Sequence, residues 1–261
     1  MFRPPVGTIL VSTDYSFAEL VALAQNCLTK YGQSVLAEII NADVCPHYFF
    51  EGVILGIIKP DVSFCKDPEK VKEMKAFLKE HITKEQRQVA KAVNFGCPGC
   101  MGPVRLYQHL RENGLKVTRK EAEDLLKCWL STFPEMNFHF NSREPIRNDP
   151  YARYGIHTEQ DEREELKEDP FAEKRKTRKL YRAQTITGFI RNRATQNAAC
   201  NCDFQNPVAH VAKEALWNLE RAGLGDRMFC FVHNRFIVHV KESELLGTSY
   251  KERSAANQGI S

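Results

Sequence analysis

Arg87, Lys91 and Phe95 recur at four-residue intervals in the run Arg87-Gln-Val-Ala-Lys91-Ala-Val-Asn-Phe95-Gly96. Thr83 stands where a helix cap belongs and Glu85 falls in the first turn, so the spacing predicts a helix over 84–96. On a helix, residues four apart project from one face. Two fixed cations and an aromatic ring on one stripe suit a nucleoside triphosphate: the cations neutralise phosphate oxygens and the ring packs against sugar and base. Ala90, Val93 and Asn94 face elsewhere. The same spacing also fits a solvated basic face with one core Phe, and the stripe alone leaves both readings open.

Two further stretches decide between them. Thr8 to Thr13 reads as an apolar strand with Asp14 at its tip, then a turn through Tyr15 into a helix whose start carries Glu19. Near the other end, Met228-Phe-Cys-Phe-Val-His233-Asn234-Arg235-Phe-Ile-Val-His-Val240 reads as strand, two-residue turn and strand.

An Asp-Tyr-Ser-x2-Glu-Leu strand end, an Arg-x3-Lys-x3-Asn-Phe-Gly helix and a Val-His-x2 hairpin, in that order, resemble the catalytic motifs of family A DNA polymerases. The resemblance covers nearly the whole chain. It implies that Arg87, Lys91 and Phe95 bind the incoming dNTP and that Glu19 crowds the sugar 2′ position. It implies that Asp14 and the Tyr15 carbonyl hold Mg²⁺, with a partner carboxylate expected at position 234. That position is Asn234, followed by Arg235 where relatives carry Glu. Asn is a neutral, weaker ligand and Arg235 is a fixed cation beside it. Losing one metal-binding carboxylate removes about 4–6 kcal/mol of transition-state stabilisation, so weak nucleotidyl transfer is expected from a compromised two-metal site.

The resemblance also assigns primer-template contacts to Arg191, Arg193, Asn201, Gln205 and His233. Amide donors such as Asn201 and Gln205 can sense pair shape in the minor groove without reading sequence. Gly99 stands where most relatives have Tyr, and the Cys97-Pro98-Gly99 sequence is similar to that of some phage members. Ala42-Asp43-Val44-Cys45-Pro46-His47 resembles the family's Asp-x-His segment, with His47 read as structural. Where relatives carry Gln-Gly-x-Ala-Ala-Asp, this chain has Gln205-Asn-Pro207-Val-Ala-His210.

The chain has 261 residues, 43% of them hydrophobic, enough for a sizeable core in one or two domains. A net charge of +4 and a pI near 8.5 permit nucleic acid without demanding it. No apolar run reaches membrane-spanning length and Met1-Phe-Arg-Pro-Pro is not a signal peptide, which predicts a soluble, cytoplasmic protein without membrane association, in a host cell if phage-encoded. Nine cysteines, an odd number, predict free thiols in a reducing compartment; four of them, Cys97, Cys100, Cys200 and Cys202, are a weak zinc alternative because the second pair lacks CxxC spacing.

These readings predict an α+β fold with mostly helical fingers and a small antiparallel palm sheet built from the Asp14 strand and the Asn234 hairpin. Residues 1–30 are the first palm segment, 31–140 the fingers, 141–182 a charged insertion or surface segment, 183–246 the second palm segment, and 247–261 a polar tail. Thr118 and Glu121 predict a capping box, and Pro207 predicts a helix start. Because the chain opens near its first palm motif, either a second polypeptide supplies thumb, exonuclease and early palm parts, or the chain is a degenerate relic that folds alone. The alternative is a non-catalytic DNA- or protein-binding pseudo-polymerase. An Asn234 introduced to trap a substrate complex explains one change but not Arg235.

Overall fold

The computed structural model describes residues 4–141, 155–158, 181–232 and 235–245. Its elements, in chain order, are β1 (Thr8–Asp14), α1 (Ala18–Tyr31), α2 (Val35–Asn41), α3 (Pro46–Ile54), α4 (Pro68–His81), α5 (Lys84–Gly96), α6 (Pro103–Glu112), α7 (Arg119–Thr132), α8 (Glu135–Asn141), β2 (Gly155–Thr158), β3 (Tyr181–Gln184), β4 (Ile190–Ala194), α9 (Gln196–Arg221), β5 (Met228–Val232), β6 (Arg235–Lys241) and α10 (Glu242–Leu245). Helices with small antiparallel sheets make this an α+β fold, as the sequence predicts. The chain divides into two compact units, Glu19–Pro207 and Met1–Ala18 with Val208–Ser261.

The larger unit begins from strong local signals. Thr83 and Gln86 form a capping box at the start of α5, and Thr118 and Glu121 do the same for α7, so each helix satisfies two orphan donors with its own side chains. α3, α5, α6 and α7 then pack into a helical core. Phe49, Phe50, Leu106, Leu110, Trp129 and Phe133 are buried there, each at most 1% exposed. Their removal from water is the main term favouring this unit. A second sheet of order β2-β3-β4 lies in the same unit. Its β3–β4 connection is closed by Gly188 in the left-handed region (φ 83°), where a Cβ would be strained.

Most of the predicted charged segment 141–182 lies outside the described residues, but Gly155–Thr158 within it pairs antiparallel with β3.

Pro207 corrects one expectation. It sits inside α9 rather than at a helix start. A proline has no N–H for the carbonyl four residues back, that of Asp203. Here Asn26 Nδ2 donates to that carbonyl at 2.6 Å, so the orphaned acceptor is satisfied from α1. The Asp203 side chain is also claimed from α1: Lys30 Nζ donates to its Oδ2 at 2.6 Å, with the two side chains 9% and 0% exposed. His139 Nδ1 on α8 lies 3.7 Å from the same oxygen. Three elements far apart in sequence meet on one carboxylate.

The smaller unit is built on a sheet of order β1-β6-β5. β1 runs antiparallel to β6 from Thr8 opposite Lys241 to Asp14 opposite Arg235. Phe236 is buried, with Tyr15 edge-on at 5.7 Å and Phe231 at 4.8 Å between ring centroids. Arg227 grips Glu244 on α10 through two hydrogen bonds of 2.7 and 2.9 Å. The sheet predicted from the Asp14 strand and the carboxy-terminal hairpin is the one observed.

Because breaking a buried ion pair leaves an uncompensated charge, Lys30→Met should cost about 3–5 kcal/mol in urea unfolding, and adding Asp203→Leu should recover most of it. A loss below about 1 kcal/mol for the single change would show that the pair does not anchor α9 to α1.

Candidate functional site

α5 presents its stripe as the spacing requires. Arg87 and Lys91 are partly exposed and Phe95 is 39% exposed, while Ala90, Ala92, Val93 and Asn94 turn into the core. Arg87 lies over the Tyr48 ring at 5.2 Å, and its Nη2 donates to Cys45 Sγ at 3.5 Å. Its Nε is buried without a hydrogen-bond partner among the described residues. Lys91 Nζ sits 5.9 Å from the Phe95 ring centroid. Among the described residues, neither cation has a carboxylate within ion-pair distance. Two like charges one turn apart repel, and aromatic faces compensate only partly.

Beneath the stripe runs a buried polar chain. Trp129 Nε1 on α7 donates to Asn94 Oδ1 at 2.9 Å, and Asn94 Nδ2 on α5 contacts His47 Nδ1 on α3 at 3.0 Å. All three residues are 1% exposed. Since Trp129 donates to the Asn94 oxygen, the Asn94 amide must donate to His47, and Nδ1 is the accepting nitrogen. Burial, then the nearby charges of Arg87 and Lys91, pushes the imidazole down to about 3, so His47 is neutral. Its structural role was expected. One turn further along α3, Glu51 is buried and pushed up to about 7, with Oε2 unpartnered among the described residues.

The predicted minor-groove residues lie on the first half of α9. Gln205 is exposed, and its Nε2 donates to Glu19 Oε1 at 3.3 Å, joining two residues that the resemblance had assigned to different tasks. Asn201 packs on the turn that follows α5: a Cβ at Gly99 would stand 2.6 Å from Asn201 Oδ1. A Tyr at position 99 would therefore displace Asn201. Asn197 Nδ2 donates to the Gly99 carbonyl at 2.8 Å, holding the same turn.

Cys100 and Cys200 form a disulfide across this contact. That corrects the expectation of free thiols throughout; the other seven cysteines are free. The reason is tertiary: residues 100 positions apart stand with Cα atoms 6.3 Å apart, which spacing along the chain cannot disclose. The pairing also removes the four-cysteine zinc alternative. Arg191 and Arg193 lie exposed on β4, Arg193 with a left-handed φ of 53°.

In the smaller unit, Asp14 ends β1 and faces Arg235, the first residue of β6. Arg235 Nη2 is 3.5 Å from Asp14 Oδ2, with both side chains about half exposed. His233 and Asn234 lie outside the described residues. The turn after Asp14 carries Phe17 at φ 56°, a conformation L side chains rarely adopt and one often found beside functional residues. Among the described residues, no group of three or more potential metal ligands gathers. With its carboxylate engaged by a guanidinium, Asp14 fits a two-metal site poorly.

Comparison with known proteins agrees with the family resemblance. The model of DNA polymerase family A matches residues 68–256, and the chain belongs to that family. A DNA polymerase I from Streptococcus pneumoniae (strain ATCC BAA-255 / R6) is 26% identical over 243 residues, which cover 92% of this chain and 22% of that protein. A DNA polymerase I from Borreliella burgdorferi (strain ATCC 35210 / DSM 4680 / CIP 102532 / B31) is 22% identical over 216 residues, 82% of this chain and 18% of that protein. The chain thus spans about a fifth of the length of these relatives. No helix among the described residues is long and apolar enough to cross a membrane.

The buried titrating groups give a signed pH prediction. Below pH 6.5 the unfolded chain protonates histidines that stay neutral in the fold, since His47 is held to about 3 and His139, by burial, to about 4. Stability is therefore lost as pH falls from 6.5, on the order of 3 kcal/mol for each residue by pH 4. Glu51 acts oppositely: it ionises at about 7 in the fold but at 4.5 in the unfolded chain, so its contribution is lost as pH rises between those values. Glu51→Gln should raise stability at pH 8 and leave the loss below pH 6 in place; urea unfolding at pH 5 and pH 8 reads both. An equal effect at both pH values would contradict the assignment. Gly99→Tyr should cost about 2 kcal/mol by overpacking Asn201, read in the same assay.

Proposed function

We propose that this chain is a palm-and-fingers portion of a template-directed DNA polymerase that binds a dNTP and primer-template DNA. The observation carrying this reading is the partly exposed Arg87–Lys91–Phe95 stripe, whose cations lack carboxylate partners among the described residues. Triphosphate oxygens supply the missing anions and Phe95 offers a face to the sugar and base. Gln205, Asn201, Arg191 and Arg193 are the proposed duplex contacts, and Glu19 the proposed gate at the sugar 2′ position. In this reading residues 1–30 and 183–246 act as palm and residues 31–140 as fingers. Thumb and remaining palm functions come from further polypeptide, in the same chain or another.

Mg²⁺ is the ion proposed for Asp14 and the Tyr15 carbonyl. Arg235, 3.5 Å from one Asp14 oxygen across a half-exposed pair, would compete with the ion for that carboxylate. Nucleotidyl transfer by this chain is accordingly weak. The Arg235–Asp14 contact favours one other reading, a pseudo-polymerase that keeps nucleotide or DNA binding without the chemistry.

The test is primer extension with Mg²⁺ and with Mn²⁺, comparing the chain with Asn234→Asp and with Asn234→Asp plus Arg235→Glu. Faint extension by the unaltered chain, rising at least about tenfold in the double variant, supports the polymerase reading. Binding of primer-template that is insensitive to divalent ions, with no extension by any variant, supports the pseudo-polymerase. Absence of salt-sensitive primer-template binding altogether would sink both.

A further inference from the structure

The hydrogen-bonded chain beneath α5 is more than core filling. α5 meets α3 along one side and α7 along another, and most of what it buries there is small: Ala90, Ala92 and Val93. Small apolar side chains resist rotation of a helix about its own axis only weakly, because sliding one methyl past another changes little contact energy. Rotation by a few tens of degrees would nevertheless swing Arg87 and Lys91 off a bound anion. Asn94 is the buried polar side chain that borders the stripe, two turns along from Arg87 on the edge that enters the core. It is tied in two directions at once, to α7 through the Trp129 indole N–H and to α3 through the His47 ring and, at 3.4 Å, the Pro46 carbonyl.

Resting on the nucleotide-binding reading above, we infer that the Trp129–Asn94–His47 chain is a rotational lock: these three are positioning residues that keep Arg87 and Lys91 aimed at the phosphates. Directional hydrogen bonds at fixed angles supply what the alanine face lacks. The lock also keeps a third cation away from the site. His47 accepts through Nδ1, so protonating that nitrogen would set an N–H against the Asn94 amide, and Arg87 and Lys91 on α5 oppose the charge further. Glu51, one turn along α3, is the nearest acidic residue of that helix, and it is itself buried. The arrangement leaves the number of positive charges at the stripe constant across the neutral pH range.

The test uses the intact chain and two variants. Trp129→Phe removes the indole N–H and keeps an aromatic ring in the core; Asn94→Asp offers His47 an acceptor instead of a donor. Binding of Mg-dATP is measured by calorimetry well below each melting midpoint, and the His47 ring is followed by NMR between pH 5 and 8. The lock predicts that Trp129→Phe weakens Mg-dATP about tenfold while the protein stays folded, and that His47 titrates in this range only in Asn94→Asp. A folded Trp129→Phe protein that melts earlier but binds Mg-dATP unchanged would overturn the positioning role, as would a wild-type His47 titrating near 6.5. Failure of the wild type to bind Mg-dATP would overturn the nucleotide reading and the lock with it, whereas failure of the variant comparison alone leaves the nucleotide reading standing.

Discussion

Two like charges one helical turn apart, with no carboxylate between them among the described residues, are the constraint around which α5 is arranged. Repulsion between Arg87 and Lys91 disfavours the helix that carries them. That cost is offset locally by the Thr83–Gln86 capping box, by the Tyr48 and Phe95 ring faces, and by burial of the opposite side of the helix. An ion pair would relieve the repulsion more cheaply but would consume the cations. Leaving them unpaired is what the proposed phosphate site requires.

The surroundings follow the same logic of satisfying polar groups from a distance. Asn94, buried at the edge of the cation stripe, is satisfied from α7 and α3. Asp203, buried in α9, is satisfied from α1, and the carbonyl freed by Pro207 is capped by Asn26. The turn after α5 is held to α9 by the Asn197 hydrogen bond, by the close approach at Gly99 and by the Cys100–Cys200 disulfide. Many long-range polar contacts in the larger unit fix either α5 or the part of α9 that carries Asn201 and Gln205, while Ser34 with Glu135 and Lys75 with Asp43 tie other elements. In the smaller unit the register sets Asp14 opposite Arg235, with the guanidinium 3.5 Å from one carboxylate oxygen.

Much of the larger unit was legible in the sequence because its signals are local. The capping residues Thr83 and Thr118 act within four positions, and the period of Arg87, Lys91 and Phe95 sets the exposed face directly. The strand ending at Asp14 and the strand pair over 228–241 likewise declare themselves as short apolar runs. What stayed hidden depends on neighbours distant along the chain. Nothing near Asp203 indicates Lys30, nothing near Asn94 indicates Trp129, and Cys100 and Cys200 meet only after the helices pack. Pro207 was read by its local preference for a helix start, and a tertiary donor, Asn26, overrode that preference. The opposition of Arg235 to Asp14 follows from β1–β6 pairing, which strand patterns alone do not fix.

The central claim is that the α5 cations form a phosphate site, and the most direct measurement is the affinity of the chain for dATP, dADP, dAMP and deoxyadenosine at two salt concentrations, repeated with Arg87→Ala plus Lys91→Ala. The account predicts that affinity falls with each phosphate removed, weakens in the higher salt, and becomes nearly independent of phosphate number in the double variant. Equal binding of dATP and deoxyadenosine by the wild-type chain, or an unchanged phosphate dependence in the variant, would contradict it.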